Sequence, residues 1–391
     1  MRREGDHIHI NEWLLPLSWL YGLAVGLRNH LFEMGILKER SFSIPVIAVG
    51  NITVGGSGKT PHVEYLVRLL KDAMHVAVLS RGYKRKSSGY VLAHAQTPMP
   101  MIGDEPYQMK RKFPEIHVAV DKKRTRGINR LTTDEPTKDV DVILLDDAFQ
   151  HRYVKPGINI LLVDYHRLIV YDKLLPAGRL REPLNGKNRA DMVIVTKCPK
   201  DLTPMEFRVL TKSMDLYPYQ SLFFTTLRYG ALQPLFGGAE RELKSIARHH
   251  VLLLTGIASP RQLAEDLKPL DASLTLMSFG DHHHYTAADI MHINEVYERL
   301  PEPKVLVTTE KDAARLYDAE GLSAAVKADI YALPVSIEFM LGQQNNFNSK
   351  IISYVQKNSR NSILVKTAND NKSENGHHPR NRPRTISFRN H

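Results

Sequence analysis

The sequence predicts an α/β fold, a doubly wound and mostly parallel sheet followed by a second, smaller α/β unit. Three observations predict it. An apolar, β-branched run, Ser43-Ile44-Pro45-Val46-Ile47-Ala48-Val49-Gly50, leads directly into a glycine-rich turn ending in Gly58-Lys59-Thr60. Short apolar runs then alternate with helical patterns, the signature of a parallel sheet. After Leu227 the texture shifts to a Gly/Pro-bearing connector, Tyr229 to Gly238, and a second alternation begins.

The length of 391 residues fits about two domains at roughly 100–200 residues each. Taken in order, the first region (1–40) opens with Leu14 to Leu27, fourteen residues without a charge, short of the about 20 needed to span a bilayer. No small-x-small cleavage site follows it, which argues against a signal peptide. Two readings stand: a helix packed on the body, or one whose Trp13, Leu17, Trp19, Leu20 and Leu31 dip into a lipid interface.

The core unit (41–227) begins with the 43–50 strand. From Pro61, which suits a first helical turn, Val63, Leu66, Val67, Leu69 and Leu70 have helical spacing. Further strands are expected at 75–79, 117–120, 140–145, 158–163 and 192–196. In the second unit (228–345), strands are expected at 251–254, 274–277 and 305–308, with an amphipathic helix from Ala287 to Leu300. From Asn346 onward nine Lys/Arg face two Asp/Glu, so most of the formal charge of +11 sits in this tail. Its Asn, Ser, Lys and Arg content reads as disordered, and charge confined to a tail argues against specific nucleic-acid binding. A single cysteine, Cys198, excludes an internal disulfide and a cysteine zinc cluster, and suits a reducing compartment.

The chemistry concentrates where strands end. Thr53-Val54-Gly55-Gly56-Ser57-Gly58-Lys59-Thr60, between strand and helix, reads as a phosphate-binding loop (P-loop). There, backbone N–H groups converge on phosphate at a helix N-terminus, Lys59 reaches phosphate oxygens and Thr60 offers its hydroxyl to Mg²⁺. Thr53 stands where the general pattern has glycine. Asp146 and Asp147 close the strand VDVILL, where a carboxylate at the C-terminal sheet edge can hold Mg²⁺; Asp147 is the expected ligand. Most of the other polar islands sit just after a predicted strand, at the same edge: Ser80-Arg81-Gly82-Tyr83, Gly103-Asp104-Glu105-Pro106, Gln150-His151-Arg152, Leu180-Arg181-Glu182-Pro183, Asp281-His282-His283-His284-Tyr285 and Thr308-Thr309-Glu310-Lys311-Asp312. Asp104 and His282 are the acid–base candidates, one in each unit, so their meeting requires a cleft between the units.

As a set, TVGGSGKTP, SRGY, GDEP, DDAFQHR, LREP, DHHHYT and TTEKD resemble the tetraacyldisaccharide 4′-kinase (lipid A 4′-kinase) family, in the family's order over about residues 10 to 340. Thr53 suits that family's loop, which carries Ser or Thr there. The resemblance implies phosphorylation, with ATP and Mg²⁺, of the 4′-hydroxyl of tetraacyldisaccharide 1-phosphate, giving lipid IVA. It further implies Asp104 as base with His282 raising its competence, and Thr60, Asp147 and Glu182 organising Mg²⁺. Asp146, Gln150, His151 and Arg181 would line the phosphate site, with Tyr83 at its edge. Partners follow from the resemblance: an acylated disaccharide lipid and the cytoplasmic face of the inner membrane, where the enzyme is peripheral, with no obligate protein partner. A lipid substrate favours interfacial docking of the N-terminal helix. Other classes fit less well. A kinase for a small soluble acceptor leaves the apolar helix unexplained. A guanine-nucleotide switch needs an Asp that Thr196-Lys197-Cys198-Pro199 lacks, and a nucleic-acid-binding ATPase needs charge outside the tail.

Overall fold

The computed structural model describes residues 8, 10–257, 260–281, 283–317 and 319–359. Two sheets account for the strands. The first joins β1 (Val46–Gly50), β2 (Val76–Ser80), β3 (Val91–Ala93), β4 (His117–Val120), β5 (Val142–Asp146), β6 (Ile158–Asp164), β7 (Met192–Thr196) and β8 (Ser221–Tyr229). The second joins β9 (Gln233–Pro234), β10 (His250–Thr255), β11 (Ser273–Ser278), β12 (Lys304–Thr309) and β13 (Ile330–Leu333), after which β14 (Val335–Phe339) returns to the first.

The nine-stranded order is β14-β8-β7-β6-β1-β5-β2-β4-β3, parallel from β8 to β4 with antiparallel edges. The parallel strands bury both faces. Ile47 and Val49 pack with Val63, Leu66 and Val67 of helix Lys59–Leu70, while Val46 and Ala48 pack with Ile128 and Leu131 of helix Arg124–Thr133. Such strands read as continuous apolar runs because neither face meets water. The chain winds from β1 toward β5, β2 and β4, then back to β6, β7 and β8 on the other side. The C-terminal ends of β1, β5 and β6 therefore form the crevice where an open α/β sheet binds its ligand. The smaller sheet, β11-β10-β12-β13-β9, is parallel except at β9.

Two boundaries differ from the expectation. The break after Leu227 falls inside β8, and β14 carries Ile337 and Phe339 back into the large core. The tail expected from 346 begins with a helix, Gln344–Asn358, instead. Its Phe347, Ile351 and Val355, spaced four apart, bury one stripe against Phe223 and Phe339. Tyr354 Oη also accepts from Val46 N at 3.2 Å. The remaining tail, from 360, lies outside the described residues.

The helix Leu15–Glu33 is amphipathic in an inverted sense. Its buried residues are Ser18, Asn29 and Phe32, and Ser18 Oγ donates to Leu174 O at 3.0 Å and accepts from Ala177 N at 2.9 Å. Its outer face presents Leu17, Trp19, Leu20, Leu23 and Leu27, with Trp13 just before it at 93% exposure. Leu31 is only half-buried rather than outward. No helix among the described residues is long and apolar enough to cross a membrane.

Candidate active site

The loop after β1 is shaped by two backbone partners. Arg181 N donates to Ile52 O at 2.7 Å and Val54 N donates to Arg179 O at 2.8 Å, and Thr53 bridges Leu180 in antiparallel fashion. Thr53 is thus an extended, strand-like residue, so the position does not call for glycine's freedom. Gly55 (φ 116°) and Gly58 (φ 80°) do occupy the left-handed half of φ space. Gly58 is the N-cap of helix Lys59–Leu70, so Lys59 and Thr60 occupy its first turn, at the positive end of the helix dipole.

Asp146 ends β5 and Asp147 follows it, beside this turn. Asp147 sits at φ 48°, and its carboxylate lies 3.5 Å from Lys59 Nζ and 3.6 Å from Arg181 Nη1. Asp146 is buried, accepts from Ser80 Oγ at 3.4 Å, and its carbonyl accepts from buried Arg124 at 3.0 Å. Burial, then the charges of Glu105 and Asp147, push the Asp146 carboxyl above its ordinary range, against the pull of Lys59 and Arg124. The oxygens Asp146 Oδ1 and Asp147 Oδ1 are buried and accept no hydrogen bond. Asp147 Oδ1 has the Lys59 ammonium at 3.5 Å, and a further cation beside Asp146 would offset the burial and the neighbouring negative charge that disfavour its ionised form. With Thr60 in the first turn of the adjacent helix, these carboxylates fit the oxygen-ligand chemistry of Mg²⁺. Among the described residues no three His, Cys, Asp or Glu side chains form a self-sufficient metal cage.

The remaining predicted residues divide. Gln150 Nε2 donates to Asn51 O, and its own carbonyl accepts from Arg28 at 3.0 Å, so Gln150 ties the loop to the N-terminal helix. Tyr21 Oη of that helix donates to Arg181 O at 2.7 Å. The His151 imidazole is pushed down to about 4 by burial and by the cations Arg124, Arg28 and Arg81, and its Nε2 has no partner. It is neutral at physiological pH. Tyr83 is exposed and follows Gly82 on the loop after β2. Glu182 is buried, and both of its oxygens accept from Arg189 Nη2 at 2.9 and 2.8 Å. That pairing engages it with Arg189.

The second unit closes the site from the other side. Asp104 and Glu105 start helix Asp104–Lys112, and helix Glu310–Leu316 faces them. Arg315, 2% exposed at its side chain, donates to Asp104 Oδ2 from Nε at 3.0 Å and Nη2 at 2.5 Å. Its Nη1 donates to Asp312 Oδ1 at 2.9 Å, and Asp312 Oδ2 accepts from Gly256 N at 2.8 Å. Lys311 pairs with Glu105, whose Oε1 lies 3.5 Å from Thr60 Oγ1. A cleft runs between the units, lined by Gly56 to Pro61, Glu105, Asp281, Thr309 and Lys311. The Asp104 and TTEKD segments thus meet, while His282 lies outside the described residues; its neighbour Asp281 lines the cleft. Glu105 and Lys311 stood inside quoted motifs without an assigned role. Their signal was adjacency, Glu105 to Asp104 and Lys311 to the strand end at Thr309.

Known proteins resemble this arrangement over nearly its whole length. The family model described as tetraacyldisaccharide-1-P 4′-kinase matches residues 10–356. A tetraacyldisaccharide 4′-kinase of Phocaeicola vulgatus is 60% identical over 362 residues, 92% of this chain and 99% of that protein. The one of Bacteroides thetaiotaomicron is 53% identical, over 94% of this chain and 99% of its own length. Among solved structures, LpxK from Aquifex aeolicus, crystallised in an "apo" form in complex with ATP, superposes with a TM-score of 0.68 at 30% identity, covering 88% of this chain and 99% of that one.

Proposed function

The chain belongs to the tetraacyldisaccharide-1-P 4′-kinase family, and from that premise we propose how its own residues carry out the family's reaction. It is an ATP-dependent kinase that phosphorylates the 4′-hydroxyl of tetraacyldisaccharide 1-phosphate to form lipid IVA. Phosphoryl transfer asks a protein mainly for positioning and for charge at the migrating group. The observation that carries the assignment of roles is the convergence, at one sheet edge, of Lys59, Thr60, Asp147 and Arg181, with Glu105 reaching Thr60 from the helix whose first residue is Asp104.

The loop Thr53 to Thr60 cradles the phosphates of ATP with the amides it does not use internally, those of Gly58 and Lys59 among them, and Lys59 neutralises the terminal phosphate. Thr60, Asp147 and Glu182 would hold Mg²⁺, with Asp146 beside them. Held there, a Mg²⁺ would supply positive charge against that developing in the transition state. Arg181 adds a cation on the far side of Asp147. Glu182, held by Arg189, orients the loop bearing Arg181. Gln150 fixes Asn51, and neutral His151 donates or accepts at the phosphate site with Tyr83 at its rim. Asp104 takes the proton of the 4′-hydroxyl as it attacks, and Arg315 holds that carboxylate in place. His282 assists Asp104.

The outward apolar face of helix Leu15–Glu33 supports docking at a membrane surface, the cytoplasmic face of the inner membrane, where a four-chain acceptor resides. Hydrogen bonds from Tyr21 and Arg28 of this helix to the Arg181 and Gln150 loops keep the docked face close to the site. The direct test is transfer of label from ATP to purified tetraacyldisaccharide 1-phosphate with Mg²⁺. Label at the 4′-position is expected; none, under conditions where a family member turns over, sinks the assignment.

A further inference from the structure

Three consecutive carbonyls of the phosphate loop are held from behind by side chains with no role so far. Lys197 Nζ donates to Gly56 O and pairs with Asp164 Oδ2 at 2.6 Å. Thr196 Oγ1 donates to Ser57 O at 3.0 Å. His62 Nδ1 lies 2.7 Å from Gly58 O, and its Nε2 lies 3.1 Å from Thr225 Oγ1. A carbonyl only accepts, so Nδ1 carries the proton and Nε2 accepts from the threonine. The anchors come from the ends of β6 and β7, from β8, and from the P-loop helix itself. Thr196, Thr225 and His62 are buried.

The peptide unit is planar and trans, so a carbonyl and the N–H that follows it point in opposite directions. Pinning the oxygens of residues 56, 57 and 58 fixes the direction of the amides of 57, 58 and 59. Ser57 N is used within the loop, donating to Gly55 O at 3.1 Å, which leaves the amides of Gly58 and Lys59 for a phosphate. A glycine-rich loop without such backing can rotate these peptides and present oxygen to an anion. Lys197 reaches Gly56 from φ 57°, a left-handed conformation unfavourable for a side-chain-bearing residue. Backbone strain held at a site-lining residue is a mark of function, and Lys197 lines the cleft.

We propose that Lys197, Thr196 and His62 are positioning residues for nucleotide binding, a rear brace that holds the phosphate loop with its amides turned toward the donor. The Thr196-Lys197-Cys198-Pro199 segment thereby acts on the loop backbone. This rests on ATP being the donor, and the test separates the two. Isothermal titration of Mg·ATP into the full-length wild type comes first: no binding there overturns the donor reading. With wild-type binding in hand, Lys197→Met is expected to weaken ATP about tenfold or more, the loss of a charged hydrogen bond. KM for the lipid acceptor stays unchanged and Lys197→Arg recovers most of the affinity. Thr196→Val, which removes one hydroxyl, weakens ATP by roughly threefold or more and serves if Lys197→Met fails to fold. ATP affinity within about twofold of wild type in a folded Lys197→Met, or in Thr196→Val if that is the folded variant, overturns the proposal. So does an equal loss in Lys197→Arg, since a cation there would then not be what matters.

Discussion

Replacing Asp104 by Asn separates its chemical role from its structural one. Arg315 donates twice to Asp104 Oδ2 but keeps a third bond to Asp312 Oδ1, so the guanidinium is not stranded when the carboxylate goes. Asn retains an oxygen at the same place, and the loss is the charge component of one contact, about 1–2 kcal/mol. Because the shift per kcal/mol shrinks with chain length, being about 2–4 °C at 150–250 residues and less for a longer chain, the melting temperature should fall by only a few degrees. The amide cannot take the proton of the acceptor hydroxyl. A positioned base contributes about 10²–10⁴ in rate, roughly 3–5 kcal/mol of barrier. Asp104→Asn should therefore lower kcat by two to four orders of magnitude on that scale and leave the ATP dissociation constant nearly unchanged. The assay pairs steady-state transfer from labelled ATP to the tetraacyldisaccharide with calorimetric ATP binding and a thermal melt. A kcat within about threefold of wild type refutes the base assignment; a pure loss of ATP affinity makes Asp104 a nucleotide ligand instead. The converse change, Arg315→Met, leaves two carboxylates facing each other in a buried contact. It should cost about 3–5 kcal/mol of stability, visible in denaturant titration.

Lys59→Ala should abolish transfer, and near-normal turnover would contradict the P-loop assignment. His62 is pushed down to about 4 by burial, against an unfolded value near 6.5. Its unfolded form gains a proton that the folded form refuses, so stability is lost as pH falls from about 6.5 to 4, by up to roughly 3 kcal/mol. Denaturation of His62→Gln across that range should show a flatter pH dependence than wild type; parallel curves would show that His62 is not the group responsible. Ending the chain after Gln344 should unfold the large unit, because Phe347, Ile351 and Val355 leave its core, whereas ending it after Ser359 should preserve the melt. The shorter deletion is the one that tests whether the basic tail aids binding to anionic vesicles, and unchanged vesicle binding would dismiss that idea.

The strands with unbroken β-branched runs were legible because a parallel strand buried on both faces has no polar positions to blur it. Those at 117–120 and 192–196 agree residue for residue with β4 and β7. The C-terminal helix is faint in the sequence because residues 346–391 are polar and basic as a whole, while its apolar signal is three residues at four-residue spacing. β14 was missed for a related reason: an antiparallel edge strand of five residues alternates Val335, Ile337 and Phe339 with Ser336 and Glu338, a weak pattern beside long apolar runs. Likewise Glu105 was passed over for its neighbour. One residue of a helix N-terminus cannot be ranked above the next until the facing helix shows that Lys311 meets one and Arg315 the other.

By itself, then, the sequence determined the P-loop, its strand and helix, the paired aspartates and the family, since these are local patterns or runs of residues joined by the chain. Only the tertiary structure decided what stands behind and across from that loop. Lys197 and Gly56 are 141 positions apart, and Arg315 and Asp104 are 211. Strand order brings β7 near β1 and seats helix Glu310–Leu316 on helix Asp104–Lys112. The inverted face of the N-terminal helix was decided in the same way: its apolar residues were plain, but which side the body occupies depends on Ser18 and Tyr21 finding backbone partners at residues 174, 177 and 181.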